Sequence, residues 1–446
     1  MTEPPKSVRE IALGILLRVA RGAHAAPLLD ARGRDLDPRD RDFLRALVKK
    51  TLRGAIRLDH VLQRHLRRPA PSLDPPVLAA LRLGAAQLLL MDRVPPHAAV
   101  GETVAAVRTL APHAAGLVNA VLRRVSEKEQ RPGAVVLPEG ADPASRLALE
   151  TSHPEWLVRR WTAAFGVTTA RAALEADDAD TPTDLLADPR AGSVDEILAS
   201  LAAGGVAAIR SAWAPLALTV TEGNAAVHPL VSGGALAVVD VAAQALVSLL
   251  PPADVAIDLT AAPGGKTRTL LATGRARRVV ALERTASRAA RLAANLAGAG
   301  RRAEVLIVRA DAGTPPLPPG RFASVLLDAP CSGTGTLRKN PEIRLRLAPA
   351  DLEGFARAQR RLLAAALSLL APGGSLVYVT CSLEPEENED VVDSVLGTRP
   401  GYQRMNTPEE VTAPLVRSTD ASGLVRILPG AAHDGFTALL VKRVLR

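Results

Sequence analysis

Leu326-Leu327-Asp328-Ala329-Pro330-Cys331-Ser332-Gly333-Thr334-Gly335 reads as an apolar strand running into a turn of small residues that carries an acid and a thiol. The chain holds only two cysteines. The other, Cys381, leaves a second apolar strand in Leu376-Val377-Tyr378-Val379-Thr380-Cys381-Ser382. A thiol at each of two matching strand exits reads as a reaction centre. Two cysteines cannot supply a disulfide framework, which points to a reducing compartment.

Around these two stretches, short apolar strands recur, each followed by a helical segment. They are Val255–Leu259, Val279–Leu282, Val305–Val308, Val325–Leu327 and Leu376–Val379. Alternation of this kind predicts βαβ units, a mainly parallel sheet and a doubly wound, Rossmann-like domain. Polar positions fall just after the strands: Gly264 and Gly265, Glu283, Asp311 and Asp328. In an open parallel sheet these positions share the crevice at the carboxyl ends of the strands.

The first strand leads into Thr260-Ala261-Ala262-Pro263-Gly264-Gly265-Lys266-Thr267, with a helix expected from about Lys266. A P-loop needs a glycine six residues before its lysine, and position 260 is threonine. The spacing also differs from a dinucleotide fingerprint. A nucleoside ligand without a pyrophosphate fits, its ribose hydroxyls held by Glu283.

The N-terminal part has a different period. Ser7 and Glu10 form a capping box ahead of Val8, Ile11, Ile15 and Val19 on one face. Further helical faces follow at Phe43–Leu52, after Pro75-Pro76, after Pro95-Pro96 and around Leu117–Leu122. No β-alternation interrupts them. Residues 1–130 hold 22 Lys+Arg against 13 Asp+Glu, so this stretch contains all of the formal charge of +9. A basic module beside a near-neutral body is the footprint of a polyanion binder.

The expected organisation is therefore multidomain. An all-α helical bundle spans 1–130, a small α+β subdomain 143–228 and an α/β Rossmann-like domain 229–446. The charged Pro/Gly-containing stretch 126–142 reads as a linker. His153, beside Pro154 and Trp156, is expected to be structural. Aromatics make up only 2% of the chain, so the cores are expected to be Leu, Val and Ala packing. The start, Met1-Thr2-Glu3-Pro4-Pro5, has no signal-peptide pattern, and no apolar run reaches the roughly 20 residues that span a bilayer. A soluble cytoplasmic monomer without membrane contact is expected. The acidic run Glu384, Glu386, Glu387, Glu389 and Asp390 is read as a helix N-terminus complementing the dipole, not as a metal site.

Several strings resemble known families. Val94–Val100 and Gly116–Arg124 resemble the NusB-type RNA-binding helical domain, and the small middle subdomain is expected to be RRM-like. The strand-end pattern resembles the S-adenosylmethionine-dependent methyltransferases. DAPCSGTGTLRKNP at 328–341 and TCSLEPEENE at 380–389 resemble, more narrowly, the Sun/Fmu family of RNA cytosine-C5 methyltransferases. A NusB-like domain fused to such a catalytic domain is similar to the bacterial RsmB-type enzymes acting on small-subunit ribosomal RNA.

The resemblance implies S-adenosylmethionine as cofactor, held by Thr260, Ala261, Ala262, Pro263, Gly264, Gly265, Lys266, Glu283, Asp311 and Asp328. It implies Cys381 as nucleophile, Cys331 in product release and Asp328 on the cytosine N3/N4 edge, with no metal. Lys266 is expected on the cofactor carboxylate or the RNA backbone. Arg338 and Lys339 are expected on phosphates flanking the target. The chain departs from the family pattern at Leu186, Asp188, Val239, Thr260 and Leu345. The expected activity is methylation of carbon 5 of a cytosine in ribosomal RNA, most simply 16S. The competing readings are the same chemistry on transfer RNA or another RNA, and a non-catalytic RNA-binding assembly factor.

Overall fold

The computed structural model describes residues 7–129, 140, 142–180, 182–408 and 410–444. Residues 1–6, which bear on the leader reading, and 130–139 and 141, in the expected linker, lie outside the described residues. The chain forms two compact units. One is Met1–Ala179 with Leu337–Leu347, the other Asp180–Thr336 with Ala348–Arg446.

The first unit is helical. Its longer helices are Val8–Ala20, Pro38–Arg53, Pro75–Leu90, Pro96–Leu110 and Ala115–Lys128, followed by Pro143–Thr151, Glu155–Phe165 and Val167–Asp178. Local chemistry starts them. Ser7 and Glu10 make the reciprocal capping box, Asp37 accepts from the Asp40 amide at 3.0 Å, and prolines open the helices at 38, 75, 96 and 143. The apolar faces meet in a core of Leu13, Leu44, Leu47, Val48, Leu81, Leu83, Val118 and Leu122. Gly84 lets two helices close up, because a Cβ there would lie 2.3 Å from Leu122 Cδ1.

Residues 337–347 are built into this helical unit. Leu337 is buried, and Leu345, where the family pattern has a tryptophan, packs on the bundle core. The guanidinium of Arg344 donates to the carbonyls of Arg53 at 3.2 Å, Ser152 at 3.3 Å and Asp177 at 2.8 Å. Burial lowers it to about 10, so it stays cationic at neutral pH. Glu342 Oε1 accepts from the Ala25 amide at 3.1 Å, and Arg53 donates to the Arg338 carbonyl at 3.1 Å. Arg338 itself is 1% exposed. The expectation that it meets RNA phosphates is therefore corrected: a side chain enclosed to this degree is not presented to a phosphate, and sequence adjacency to the motif loop did not imply exposure. His153 is fully buried, its imidazole 3.7 Å from the Asp177 carboxylate, and desolvation holds its pKa well below the usual range.

The second unit contains two sheets. The smaller is antiparallel, with β1 (Asp184–Leu186), β2 (Ala207–Arg210), β3 (Ala217–Glu222) and β4 (Ala237–Val238) in the order β2-β3-β1-β4. Helix Val194–Ala203, opened by a Ser193/Glu196 capping box, packs beside it. Asp188, one of the departures from the family pattern, is buried and takes a bidentate Arg301 at 2.6 and 2.7 Å.

The larger sheet has eight strands: β5 (Ala253–Asp258), β6 (Ala276–Leu282), β7 (Val305–Val308), β8 (Phe322–Asp328), β9 (Leu370–Thr380), β10 (Tyr402–Met405), β11 (Leu424–Ile427) and β12 (Phe436–Arg443). Their order is β10-β12-β9-β8-β5-β6-β7, with β11 paired to β12. β9, β8, β5, β6 and β7 run parallel, β12 joins β9 antiparallel, and β10 lies antiparallel beyond it at the edge. Apolar clusters that include residues of these strands are packed from Leu, Val, Ile and Ala. The carboxyl ends of the parallel strands consequently share one edge of the sheet. Among the described residues no helix is long and apolar enough to cross a membrane.

Candidate active site

β5 ends at Asp258, and the chain turns at once through Thr260–Gly264 into helix Gly265–Ala272. The turn is stitched to its neighbours. The Ala261 amide donates to the Leu282 carbonyl at 3.0 Å, and Thr260 Oγ1 donates to the Asp328 carbonyl at 2.7 Å. Gly264 has φ +110°, a conformation L side chains rarely adopt, and a Cβ there would lie 2.8 Å from Leu292 Cδ1. The loop thus presents main chain and small apolar groups. Beneath it, Asp258 is buried and accepts from Thr267 Oγ1 at 2.7 Å. Burial raises its pKa to about 6.

Glu283 follows β6 and is buried. Its Oε1 accepts from the Thr285 amide at 3.1 Å, and Oε2 accepts from Arg288 at 3.0 Å. Arg288 also donates to the Ala262 carbonyl at 2.9 Å, so one guanidinium ties this acid to the glycine loop. Each carboxylate oxygen has two acceptor positions, which leaves Oε2 room for a hydroxyl donor. Asp311, after β7, accepts from the Gly313 amide at 2.8 Å and from Arg361 at 3.3 Å, and these hold its carboxyl below the usual range. A main-chain loop shaped by glycine, with acids after the next two strands, fits a nucleoside-bearing cofactor.

The chemistry-bearing groups gather on the other side of β5. β8 and β9 are parallel neighbours, with Asp328 opposite Val379. The loops that leave them bring Cys331 Sγ to 3.1 Å from Cys381 Sγ, both as free thiols. The Gly335 amide donates to the Cys381 carbonyl at 2.9 Å. The Cys331 thiol is pushed well up, first by its hydrogen bond to Cys381 and then by burial. Lys266 Nζ donates to Asp328 Oδ2 at 2.6 Å and lies over the Phe436 ring. Burial pulls the Lys266 ammonium down, but Asp328 and then Cys381 outweigh it, and the net shift is upward. The ammonium of Lys266, expected to meet a cofactor or RNA anion, lies at the strand ends with Asp328 as its partner.

One group escaped the sequence reading. Each cysteine is followed by a serine, and both serine hydroxyls donate to Glu387 Oε1, Ser332 closely and Ser382 at 2.6 Å. Glu387 Oε2 accepts from the Ser332 amide at 2.8 Å and from Gln359 at 2.9 Å. Of the acidic run, Glu389 and Asp390 do occupy the first turn of helix Glu389–Leu396. Glu387 does not belong with them, because it is fully buried beneath the two cysteine loops. The repeated Cys-Ser pair was the available signal. Among the described residues no group of three or more His, Cys, Asp or Glu is placed to hold a metal ion.

Comparison with known proteins agrees with this architecture. Family models match three stretches: the NusB family at residues 6–127, the ferredoxin-like domain of RsmF/B-like methyltransferases at 153–227, and 16S rRNA methyltransferase RsmB/F at 247–441. The chain is 35% identical over 401 residues to ribosomal RNA small subunit methyltransferase B of Sodalis glossinidius, covering 88% of this chain and 90% of that protein. The chain belongs to the ribosomal RNA small subunit methyltransferase B family. A Pseudomonas putida member of the same name is 34% identical over 407 residues, covering 90% of each. The family comprises S-adenosylmethionine-dependent RNA methyltransferases, and S-adenosylmethionine is the cofactor. In fold, the crystal structure of PH0851 superposes with a TM-score of 0.82 at 23% identity, covering 99% of this chain and all of that one. A methyltransferase homolog from Pyrococcus horikoshii gives 0.56 at 24% identity, covering 68% of this chain and all of that one.

Proposed function

We propose that this chain methylates carbon 5 of a cytosine in small-subunit ribosomal RNA, through a transient bond between Cys381 and carbon 6. The observation that carries this reading is the pair of thiols 3.1 Å apart beside the Lys266–Asp328 ion pair. The relatives are named for small-subunit ribosomal RNA, which supports the substrate class.

Thr260, Ala261, Ala262, Pro263, Gly264, Gly265, Glu283 and Asp311 would hold the cofactor, with Lys266 and Asp328 closing the site towards the base. When bound, S-adenosylmethionine supplies a sulfonium methyl group, an electrophile that carbon 5 of free cytosine attacks poorly. The protein's task is to make carbon 5 a better nucleophile. The Cys381 thiolate adds to carbon 6, and the electron pair of the carbon 5–carbon 6 double bond moves onto carbon 5 and the ring. Asp328 accepts from the exocyclic amine. Lys266, held against it, faces the ring edge where electron density gathers. Once carbon 5 carries its methyl group, its proton leaves to water and the double bond re-forms. The Cys381 sulfur departs with the pair of the carbon–sulfur bond. Cys331, kept as a thiol, donates a hydrogen bond to that departing sulfur. The basic helical bundle supplies affinity for the RNA backbone.

The test is bisulfite sequencing of ribosomal RNA from cells with and without the gene. The expected result is one protected cytosine in the small-subunit RNA that becomes convertible when the gene is removed. An identical protection pattern would refute the assignment.

A further inference from the structure

Glu387 is a carboxylate that the mechanism above leaves unused. It is fully buried, and all four of its acceptor positions are filled by neutral donors. Three of those donors come from the residues immediately after the two cysteines. Ser332 contributes both its amide and its hydroxyl, and Ser382 its hydroxyl. The two hydroxyls also contact each other at 3.1 Å.

The carboxylate is itself held from behind. Tyr378, fully buried on β9, donates to the Glu387 carbonyl at 2.6 Å. The next residue, Asn388, accepts from Thr380 Oγ1 at 2.6 Å and donates to the carbonyls of Ser382 at 3.0 Å and Glu384 at 2.8 Å. The Cys331 loop and the Cys381 loop are thus cross-linked through one side chain on the short turn Pro385–Glu387, which Tyr378 braces from β9.

We propose that Glu387 is a positioning residue that sets the distance between Cys331 and Cys381 by gripping Ser332 and Ser382. A burial of this kind has no other evident return, since an ionised carboxylate without a cation partner is costly to enclose. The geometry has a direct consequence for the thiols. Only while both serines are gripped does Cys331 stay close enough to donate to Cys381. The negative charge of Glu387 adds to the influences that keep Cys331 protonated. Release of the grip leaves both thiols present but no longer in register.

The proposal rests on the cytosine-C5 reading for its activity readout, so a second readout is independent of it. Glu387→Ala is compared with the wild type in full-length protein. With S-adenosylmethionine and RNA saturating, kcat is expected to fall about 100-fold, as misplacement near 1 Å commonly costs. The RNA KM and the affinity for S-adenosylhomocysteine should stay within about twofold. Ser332→Ala with Ser382→Ala should lower kcat in the wild-type background and add little in the Glu387→Ala background, because the three side chains act as one unit.

Alkylation of each cysteine by iodoacetamide, read by mass spectrometry without RNA or cofactor, measures the thiol pair directly. Cys381 should react faster than Cys331 in the wild type, and the ratio should change at least about fivefold in Glu387→Ala. A folded Glu387→Ala protein with wild-type kcat and wild-type alkylation ratio would overturn the proposal. If that variant does not fold, the Ser332→Ala, Ser382→Ala protein decides by the same two readouts. A wild type that methylates no RNA would sink the functional reading instead, and the alkylation ratio would still judge the positioning role.

Discussion

Lys266 and Asp328 arrive from opposite ends of two different strand-to-helix connections and meet at 2.6 Å. Lys266 opens the helix after β5, and Asp328 closes β8, its neighbour in the sheet. Neither residue is fully enclosed, so the pair is strong enough to orient both groups yet can exchange partners with a bound base. Lys266→Met should lower the single-turnover rate by about 100-fold, the scale of losing one preorganised charge. Cofactor affinity should change far less. Lys266→Arg should recover part of the rate. A Lys266→Met protein that turns over normally would reduce the pair to a packing feature.

The two cysteines should fail in opposite ways. Cys381→Ala removes the attacking sulfur, so methylation stops and no protein–RNA adduct forms. Cys331→Ala leaves attack possible but removes the thiol that faces the departing sulfur, so protein accumulates on methylated RNA. A denaturing gel with radiolabelled RNA separates the cases, with a shifted band for Cys331→Ala alone. A shifted band for Cys381→Ala would reverse the roles.

Asp258 makes the second unit sensitive to acid in an unusual direction. Its folded pKa, about 6, lies above the ordinary 3.8, so folding favours its protonated form. The stability this group supplies is full below the ordinary value and is lost as pH rises through about 6. The two-unit difference corresponds to about 3 kcal/mol. Asp258→Asn has no such titration. Relative to wild type it should therefore gain up to about 3 kcal/mol between about pH 4 and about pH 7, read from hydrogen exchange of the β5 amides. A constant difference across that range would mean that Asp258 is ionised at the same pH folded and unfolded.

RNA affinity should depend on the basic surface of the helical unit. Arg123 and Arg124 are exposed on helix Ala115–Lys128. Replacing both by Ala should weaken binding across RNA sequences and flatten the plot of log affinity against log salt by up to about 1.4, since each phosphate contact on a single strand contributes about 0.7. An unchanged slope would remove this face from the interface.

The parts of the fold legible in the sequence were those written in local pattern. The capping box at Ser7 and Glu10, the proline-opened helices and the strand ends at Glu283, Asp311 and Asp328 all appear where the spacing put them. The proximity of the two thiols was suggested by matching strand exits and follows from β8 and β9 being adjacent and parallel. What escaped was set by partners distant in the chain. Glu387 looks like any residue of an acidic run until Ser332, some fifty positions earlier, is laid against it. Arg338 reads as a surface cation beside a catalytic motif, and only its burial in the folded chain shows otherwise.

That burial makes the protein hard to dissect. Residues 337–347 are encoded in the middle of the catalytic half, yet they fold as part of the helical half. A chain started at Asp180 would keep every group of the candidate site and still carry eleven residues with no place to pack. Leu345 and a guanidinium that normally reaches three carbonyls would be released into solvent. Such a fragment would be sticky and prone to protease cleavage just beyond the Cys331 loop. A cut between the halves therefore separates residues 337–347 from the helices they fold with, so an exchange of the catalytic half would have to exchange this segment's helical partners as well.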